Sequence, residues 1–312
     1  MDEGVQLNLL ADDGAARRGL ASSRPDDTSR PGDTVRLRFL IAYLGTNFHG
    51  LAPQPKHRTV GGEFLRALTT SLHLDVTPVL GMSGRTDAGV HAFGQVVHVD
   101  VASTTKVHPA RLQRSLRKML EPEIVVRSID IAPPGFDARH SARWRRYRYT
   151  IHNAPEADPF RTQTVWHVRE PLDLAAMRLA CDPLIGEHDF SSFCRSPKLG
   201  PDDEPASMVR RLTDASWLDL RESEPGILRF EVQASSFCQQ MVRAIVGLMV
   251  DIGKGNRTAG DVLGIIRARN RAASAPIAPP QGLCLCEVGY DPVDQMAAIR
   301  SAASSATANV AR

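Results

Sequence analysis

Between Ser83 and His91 the 312-residue chain brings together a guanidinium (Arg85), a hydroxyl (Thr86) and a carboxylate (Asp87), bracketed by Gly84 and Gly89, with an imidazole two residues on. A carboxylate beside a guanidinium is favoured as the anion, because the opposite charge stabilises the ionised form. Asp87 is therefore equipped to act as a nucleophile or a base rather than as an acid. The glycines allow positive φ and close approach of backbone to a ligand. Directly after the loop, Gln95-Val96-Val97-His98-Val99-Asp100-Val101 alternates like a strand, so the reactive segment sits on a rigid support. In isolation the same residues also fit an Asx-turn with Arg85 as a surface ion-pair partner.

A second candidate lies from Arg139 to Tyr149, where five arginines interleave with Trp144, Tyr147 and Tyr149. In a strand, period two sets Arg145, Tyr147, Tyr149 and Ile151 on one face and Trp144, Arg146 and Arg148 on the other. Guanidinium groups pair with phosphates, and aromatic and guanidinium planes stack on unpaired bases, so the pattern reads as RNA contact through Arg139, Arg145 and Arg146. A twisted strand with a solvated basic face and buried tyrosines gives the same spacing. The third candidate is Arg243, in a helix expected over Ser236 to Ile252. It falls off the apolar stripe of Met241, Ile245, Leu248 and Ile252, on a polar side with Gln239 and Gln240 that opens at Gly247. It is either solvated or aimed at a site. Asp87, His91 and His98 would suit a metal-dependent hydrolase. His188-Asp189 has no third ligand at metal spacing, and a helix-terminus hydrogen bond is the simpler expectation.

The elements that must position these residues follow from periodicity. Val35 to Tyr43, Phe93 to Val101, Ile124 to Ile131, the hairpin Leu212 to Leu220 with Ile227 to Ala234, and Gly282 to Tyr290 read as strands. Gly61 to Leu74, His108 to Leu120, Pro171 to Gly186 and Val262 to Arg269 read as helices. Strands and helices mix without regular βαβ repetition, which favours an α+β fold with a mainly antiparallel central sheet. Residues 1-33, rich in Asp, Arg, Ser, Gly and Pro, are expected to be a disordered leader, and 294-312 a small-residue tail. The polar stretch between Cys194 and Ser207 is expected to be an exposed loop. A formal net charge of +3 gives no global field, so any affinity for nucleic acid must come from local patches. The five cysteines are odd in number and lack Cys-x-x-Cys spacing, so they read as reduced thiols of a cytosolic protein. No apolar run of about 18 residues is present to span a membrane, and the first residues carry no secretory signature.

Gly84 to Ala92 with Gly94-Gln95-Val96-Val97-His98 resembles the signature of the TruA-type tRNA pseudouridine synthases. Further segments agree in order: Tyr43-x-Gly45-Thr46-Asn47-Phe48-His49-Gly50, Thr59-Val60-x-Gly62, Phe136-Asp137-Ala138-Arg139, Arg145-Arg146-Tyr147-Arg148-Tyr149 and Met241-Val242-Arg243-x-Ile245-Val246-Gly247. The resemblance implies isomerisation of uridine to pseudouridine in tRNA, at anticodon stem-loop positions 38 to 40 of the family. It implies Asp87 as the essential group, Tyr147 stacking on the uracil, and Arg243 orienting Asp87. Arg85, Thr86, His91, Arg139, Arg145 and Arg146 become candidates for substrate binding. It implies no redox, energy or metal cofactor, tRNA as partner, a cytoplasmic homodimer, and two similar halves, 34-138 and 139-293, with a catalytic cleft between them. Another RNA or a free nucleotide as substrate, and a non-catalytic RNA-binding paralogue, are the alternatives. Where the family reads Gly-Trp-Gln-x-Gln, this chain has Gly50-Leu51-Ala52-Pro53-Gln54, and Gly61 replaces a Gln. That locates the difference in RNA engagement rather than in catalysis.

Overall fold

A computed structural model describes residues 34–195 and 207–291; the leader, the tail and most of the loop before Ser207 lie outside the described residues. The chain opens with β1 (Thr34–Tyr43), whose Leu37, Phe39, Ile41 and Tyr43 are buried on one face, as alternation requires. Helix α1 (Val60–Leu72) starts where Thr59 accepts the Gly62 N–H on its hydroxyl, an N-cap that satisfies one orphan donor of the first turn. It lays Phe64 edge-on against Phe39 with centroids 5.0 Å apart, fixing the helix on that face of the sheet. There follow β2 (Gly81–Met82), β3 (His91–Ala102), α2 (Pro109–Leu120) and β4 (Ile124–Ile131). In α2, Leu112, Leu116 and Leu120 are buried.

The second part begins with β5 (Trp144–Asn153) and β6 (Trp166–Val168), then α3 (Leu174–Leu179), β7 (Gly186–Asp189), β8 (Val209–Asp219), β9 (Ile227–Ala234), α4 (Met241–Gly253), α5 (Asp261–Ala268) and β10 (Leu283–Gly289). One open sheet contains all ten described strands, in the order β4-β1-β3-β10-β5-β9-β8-β7, with β2 on β3 and β6 on β5. Among the described residues only β3 with β10 and β5 with β6 pair in parallel, so the fold is α+β with a mostly antiparallel sheet. β10, the last of the described strands, thus lies at the centre, and its seam with the N-terminal strands is a ladder of two residue pairs, Cys284 with His91 and Leu285 with Ala92. No helix among the described residues is long and apolar enough to cross a membrane.

Four expectations change. The helix expected over Pro171 to Gly186 ends at Leu179 and gives way to a 3-10 turn at Asp182–Leu184, because Pro183 has no N–H to continue it. Gly186-Glu187-His188-Asp189 then becomes β7 against β8 rather than a helix terminus, and Asp189 accepts from Ser191 and pairs with Arg269 at 3.2 Å. The side of α4 that was to open at Gly247 is closed, since every residue from Met241 to Val250 is buried. Finally, Cys194 and Cys238 form a disulfide with Cα atoms 5.7 Å apart, leaving Cys181, Cys284 and Cys286 as thiols. The two are 44 positions apart, so only the folded chain, not their spacing, brings them together.

Candidate active site

Asp87 stands in the loop between β2 and β3, and several backbone groups on either side of it are tied. The Ser83 N–H donates to Val96 O at 2.9 Å, and the Ser83 hydroxyl to the fully buried Gln95 Oε1 at 2.6 Å. The Gln95 amide in turn donates to Gly84 O at 3.0 Å. Leu51 N–H reaches Thr86 O, Gly89 N–H reaches Phe48 O, and Val90 N–H closes a turn on Asp87 O, each at 3.2 Å. Gly89 has φ +76°, a conformation that strains any residue with a Cβ. With its backbone immobilised, the Asp87 side chain is 26% exposed and points one carboxylate oxygen at Arg243.

Arg243 comes from the first turn of α4. Its side chain is 10% exposed, and Nη1 lies 3.2 Å from Asp87 Oδ2, joining residues 156 apart in sequence. Nε donates to Ala278 O at 2.7 Å, and Ala278 N–H returns a bond to Arg243 O at 3.0 Å, so the segment before β10 clamps the arginine. That segment can lie so close only because position 247 is glycine: a Cβ there would stand 2.0 Å from Pro276 O. Among the described residues Asp87 Oδ1 has no hydrogen-bond partner, leaving one oxygen oriented by a cation and the other for a ligand.

Tyr147, on the buried face of β5, packs edge-on against Phe237 with centroids 5.1 Å apart. Burial pushes its phenol far above the usual tyrosine range, and the neighbouring Tyr43 hydroxyl and Asp87 carboxylate add to this. At neutral pH it is therefore an O–H group, not a phenolate. Tyr43, pushed up to about 12 by burial, shares a 2.7 Å hydrogen bond with Thr86 Oγ1 beneath the loop.

The structure divides the sequence candidates. It pairs Asp87 with Arg243 and sets Tyr147 within electrostatic reach of the Asp87 carboxylate. It commits Thr86, His91 and Arg145 to the protein interior: Thr86 bonds Tyr43, and His91 accepts from Gly45 N–H at 2.9 Å and bonds Gln281 O at 3.0 Å. The Arg145 guanidinium is buried among the carbonyls of Ser83, Arg139, Ala142 and Ser235. Arg85 and Arg139 are exposed beside the loop. Arg146 is exposed on the opposite sheet face, over the Trp144 ring and 3.8 Å from Glu287. Arg145 and Arg146 thus cannot share one ligand surface.

His98 accepts from Ala138 N–H at 3.1 Å, and no group of three or more His, Cys, Asp or Glu side chains among the described residues is placed to hold a metal. The hydrolase alternative has no ligand set here. Leu51 is not a surface group either: it is fully buried, and its backbone holds Thr86 O and Gly61 N–H. Sequence reasoning missed Tyr43, Gln95 and Phe237 as parts of the site. A polar Gln at a buried strand position was a usable signal for Gln95. The segment Pro276 to Gln281 acts through backbone carbonyls and leaves no residue-type signature.

A family model described as tRNA pseudouridine synthase matches residues 180–291, which include Arg243. A protein called tRNA pseudouridine synthase A from Streptomyces griseus is 40% identical over 279 residues, covering 88% of this chain and 94% of the relative. Proteins of the same name from Halalkalibacterium halodurans (40% identical, 80% of this chain and 90% of the relative) and Cutibacterium acnes (39%, 86% and 93%) match over similar spans.

Proposed function

The chain belongs to the tRNA pseudouridine synthase family, and from that premise we propose that it isomerises uridine to pseudouridine in tRNA with Asp87 as the essential group. The observation that carries the role of Asp87 is its 3.2 Å pairing with a buried arginine drawn from helix α4, far along the chain. In the reaction the N1–C1′ bond breaks, the uracil turns, and a C5–C1′ bond forms while the C5 proton leaves and N1 gains one. Nothing is oxidised or reduced and no group is donated from outside, so the residues need only hold, polarise and move protons.

Arg243 keeps the Asp87 carboxylate oriented, and its Oδ1 acts as nucleophile or base toward the nucleoside. Tyr147 offers its ring to the uracil and a protonated hydroxyl for hydrogen bonding or proton relay. A base reaches this loop only when it leaves its stack, which costs a few kcal/mol. Exposed Arg85 and Arg139 offset that cost through phosphate contacts. By the same family resemblance we assign the target to anticodon stem-loop uridines 38 to 40, the active form to a homodimer, and the place of action to the cytoplasm. The test is pseudouridine mapping of tRNA treated with the wild type or with Asp87→Asn, alongside tRNA binding. The variant should bind tRNA and leave these uridines unchanged; activity within about tenfold of wild type, roughly 1.4 kcal/mol in barrier, rejects Asp87 as the essential group.

A further inference from the structure

Asp87 and Arg243 lie on opposite sides of a seam that has only two ladder pairs, Cys284 with His91 and Leu285 with Ala92. So short a ladder does not by itself fix a carboxylate against a guanidinium. Two buried side chains cross the seam at the two ends of the Asp87 loop. Four residues before Asp87, Ser83 O accepts from Arg145 Nη2 at 2.8 Å. Four residues after it, the His91 ring bridges Gly45 N–H at 2.9 Å and Gln281 O at 3.0 Å.

The tautomer of His91 follows from its partners. Gly45 N–H is a donor, so Nδ1 is the bare nitrogen and Nε2 carries the proton that Gln281 O accepts. Burial keeps the ring below its ordinary pKa, consistent with that neutral form. Gln281 lies three residues beyond Ala278, whose carbonyl holds Arg243 Nε at 2.7 Å. The contacts form a closed circuit: Asp87 to His91 along the chain, His91 to Gln281, back to Ala278, on to Arg243, and from Arg243 to Asp87. At the other end Arg145 spends its planar fork on four carbonyls, Ser83, Arg139, Ala142 and Ser235. No carboxylate among the described residues pairs with it, so this cation is held in place by backbone alone. A lysine has no such fork.

We propose that His91 and Arg145 are positioning residues that latch the Asp87 loop to the second half at both ends and thereby set the Asp87–Arg243 separation. The proposal rests on Asp87 being the essential group. It departs from a role for either side chain in touching RNA, since both are buried.

The two nitrogens of His91 can be replaced one at a time. A glutamine amide N–H reaches the place of Nε2 and keeps the bond to Gln281, whereas an asparagine carbonyl takes the place of Nδ1 and keeps only the bond to Gly45. We would measure kcat and KM for tRNA by tritium release from 5-tritiated uridine, with Tm alongside, for His91→Gln, His91→Asn, Arg145→Lys and Asp87→Asn. His91→Gln should keep kcat within a few-fold. His91→Asn and Arg145→Lys should lose on the order of a hundredfold in kcat, the scale of a 1 Å misplacement, with KM little changed. Equal kcat for the Gln and Asn variants, or losses confined to Tm, overturns the latch while Asp87→Asn remains inactive. An active Asp87→Asn overturns the underlying reading instead. Where His91→Asn does not fold, Arg145→Lys decides, and wild-type kcat there overturns the proposal.

Discussion

Gly247→Ala is the sharpest test of how the arginine is held. The new Cβ would stand 2.0 Å from Pro276 O, against about 3.4 Å for ordinary contact; the oxygen is backbone and the Cβ is fixed rigidly to its own Cα. No rotamer relieves such a clash, so either α4 or the 276–278 segment must move by about 1.4 Å, the difference between those distances. The bond from Arg243 Nε to Ala278 O is 2.7 Å long and would stretch past hydrogen-bonding range under a shift of that size. Two energetic effects oppose each other in the helix: alanine gains about 1 kcal/mol of propensity over glycine, while overpacking costs about 1–3 kcal/mol. Net stability should fall modestly. Catalysis should fall far more, because a misplacement near 1 Å costs on the order of a hundredfold in rate. Tritium-release kinetics set against Tm separate the two. A variant with kcat within threefold of wild type and an unchanged Tm would mean that the segment yields without moving Arg243, and the clamp would be wrong.

Replacing exposed Arg85 and Arg139 by alanine should reduce the salt dependence of tRNA binding by on the order of one log–log unit per phosphate contact; Arg146→Ala, on the far face, should leave binding at the Asp87 site unchanged. If only the Arg146 variant alters the slope, RNA lies on the other side of the sheet. Leu51→Trp should cost about 1–3 kcal/mol through overpacking of a buried position; an unchanged Tm with altered uridine preference would restore this position to substrate selection. His91 and His98 are both held below their ordinary values by burial. Because the unfolded chain binds those protons first, the stability they contribute is whole above about pH 6.5 and is lost as the pH falls through the depressed folded-state values. His98→Gln should weaken that acid dependence of Tm, and a parallel curve for variant and wild type would remove His98 as a contributor.

The sheet was legible because its strands alternate cleanly. Leu37, Phe39, Ile41 and Tyr43 share a buried face as period two demands, and Arg145 and Tyr147 share the buried face of β5. What alternation does not carry is which face meets solvent at a given cation. Arg145 reads the same whether it faces phosphate or a cage of carbonyls, since the acceptors that decide it, Ser83 O and Ser235 O, are backbone atoms distant in sequence. The helix around Cys181 failed for a local reason: apolar spacing continued to Leu184, but Pro183 ended the hydrogen-bond ladder.

The position of Arg243 shows a different limit. Its helix and its departure from the apolar stripe were readable, yet Gly247 reads equally as an opening or as a seat for another segment. The sheet order decides it. Because β10 inserts between β3 and β5, the chain leading into it must pass across α4, and Gly247 is where Pro276 crosses. The same crossing delivers Ala278 O to Arg243, Pro279 O to the Tyr149 hydroxyl at 2.7 Å, and Gln281 O to His91. Two contacts that bear on the Asp87–Arg243 pair, Ala278 O on Arg243 and Gln281 O on His91, are therefore made by the segment that carries the chain into β10.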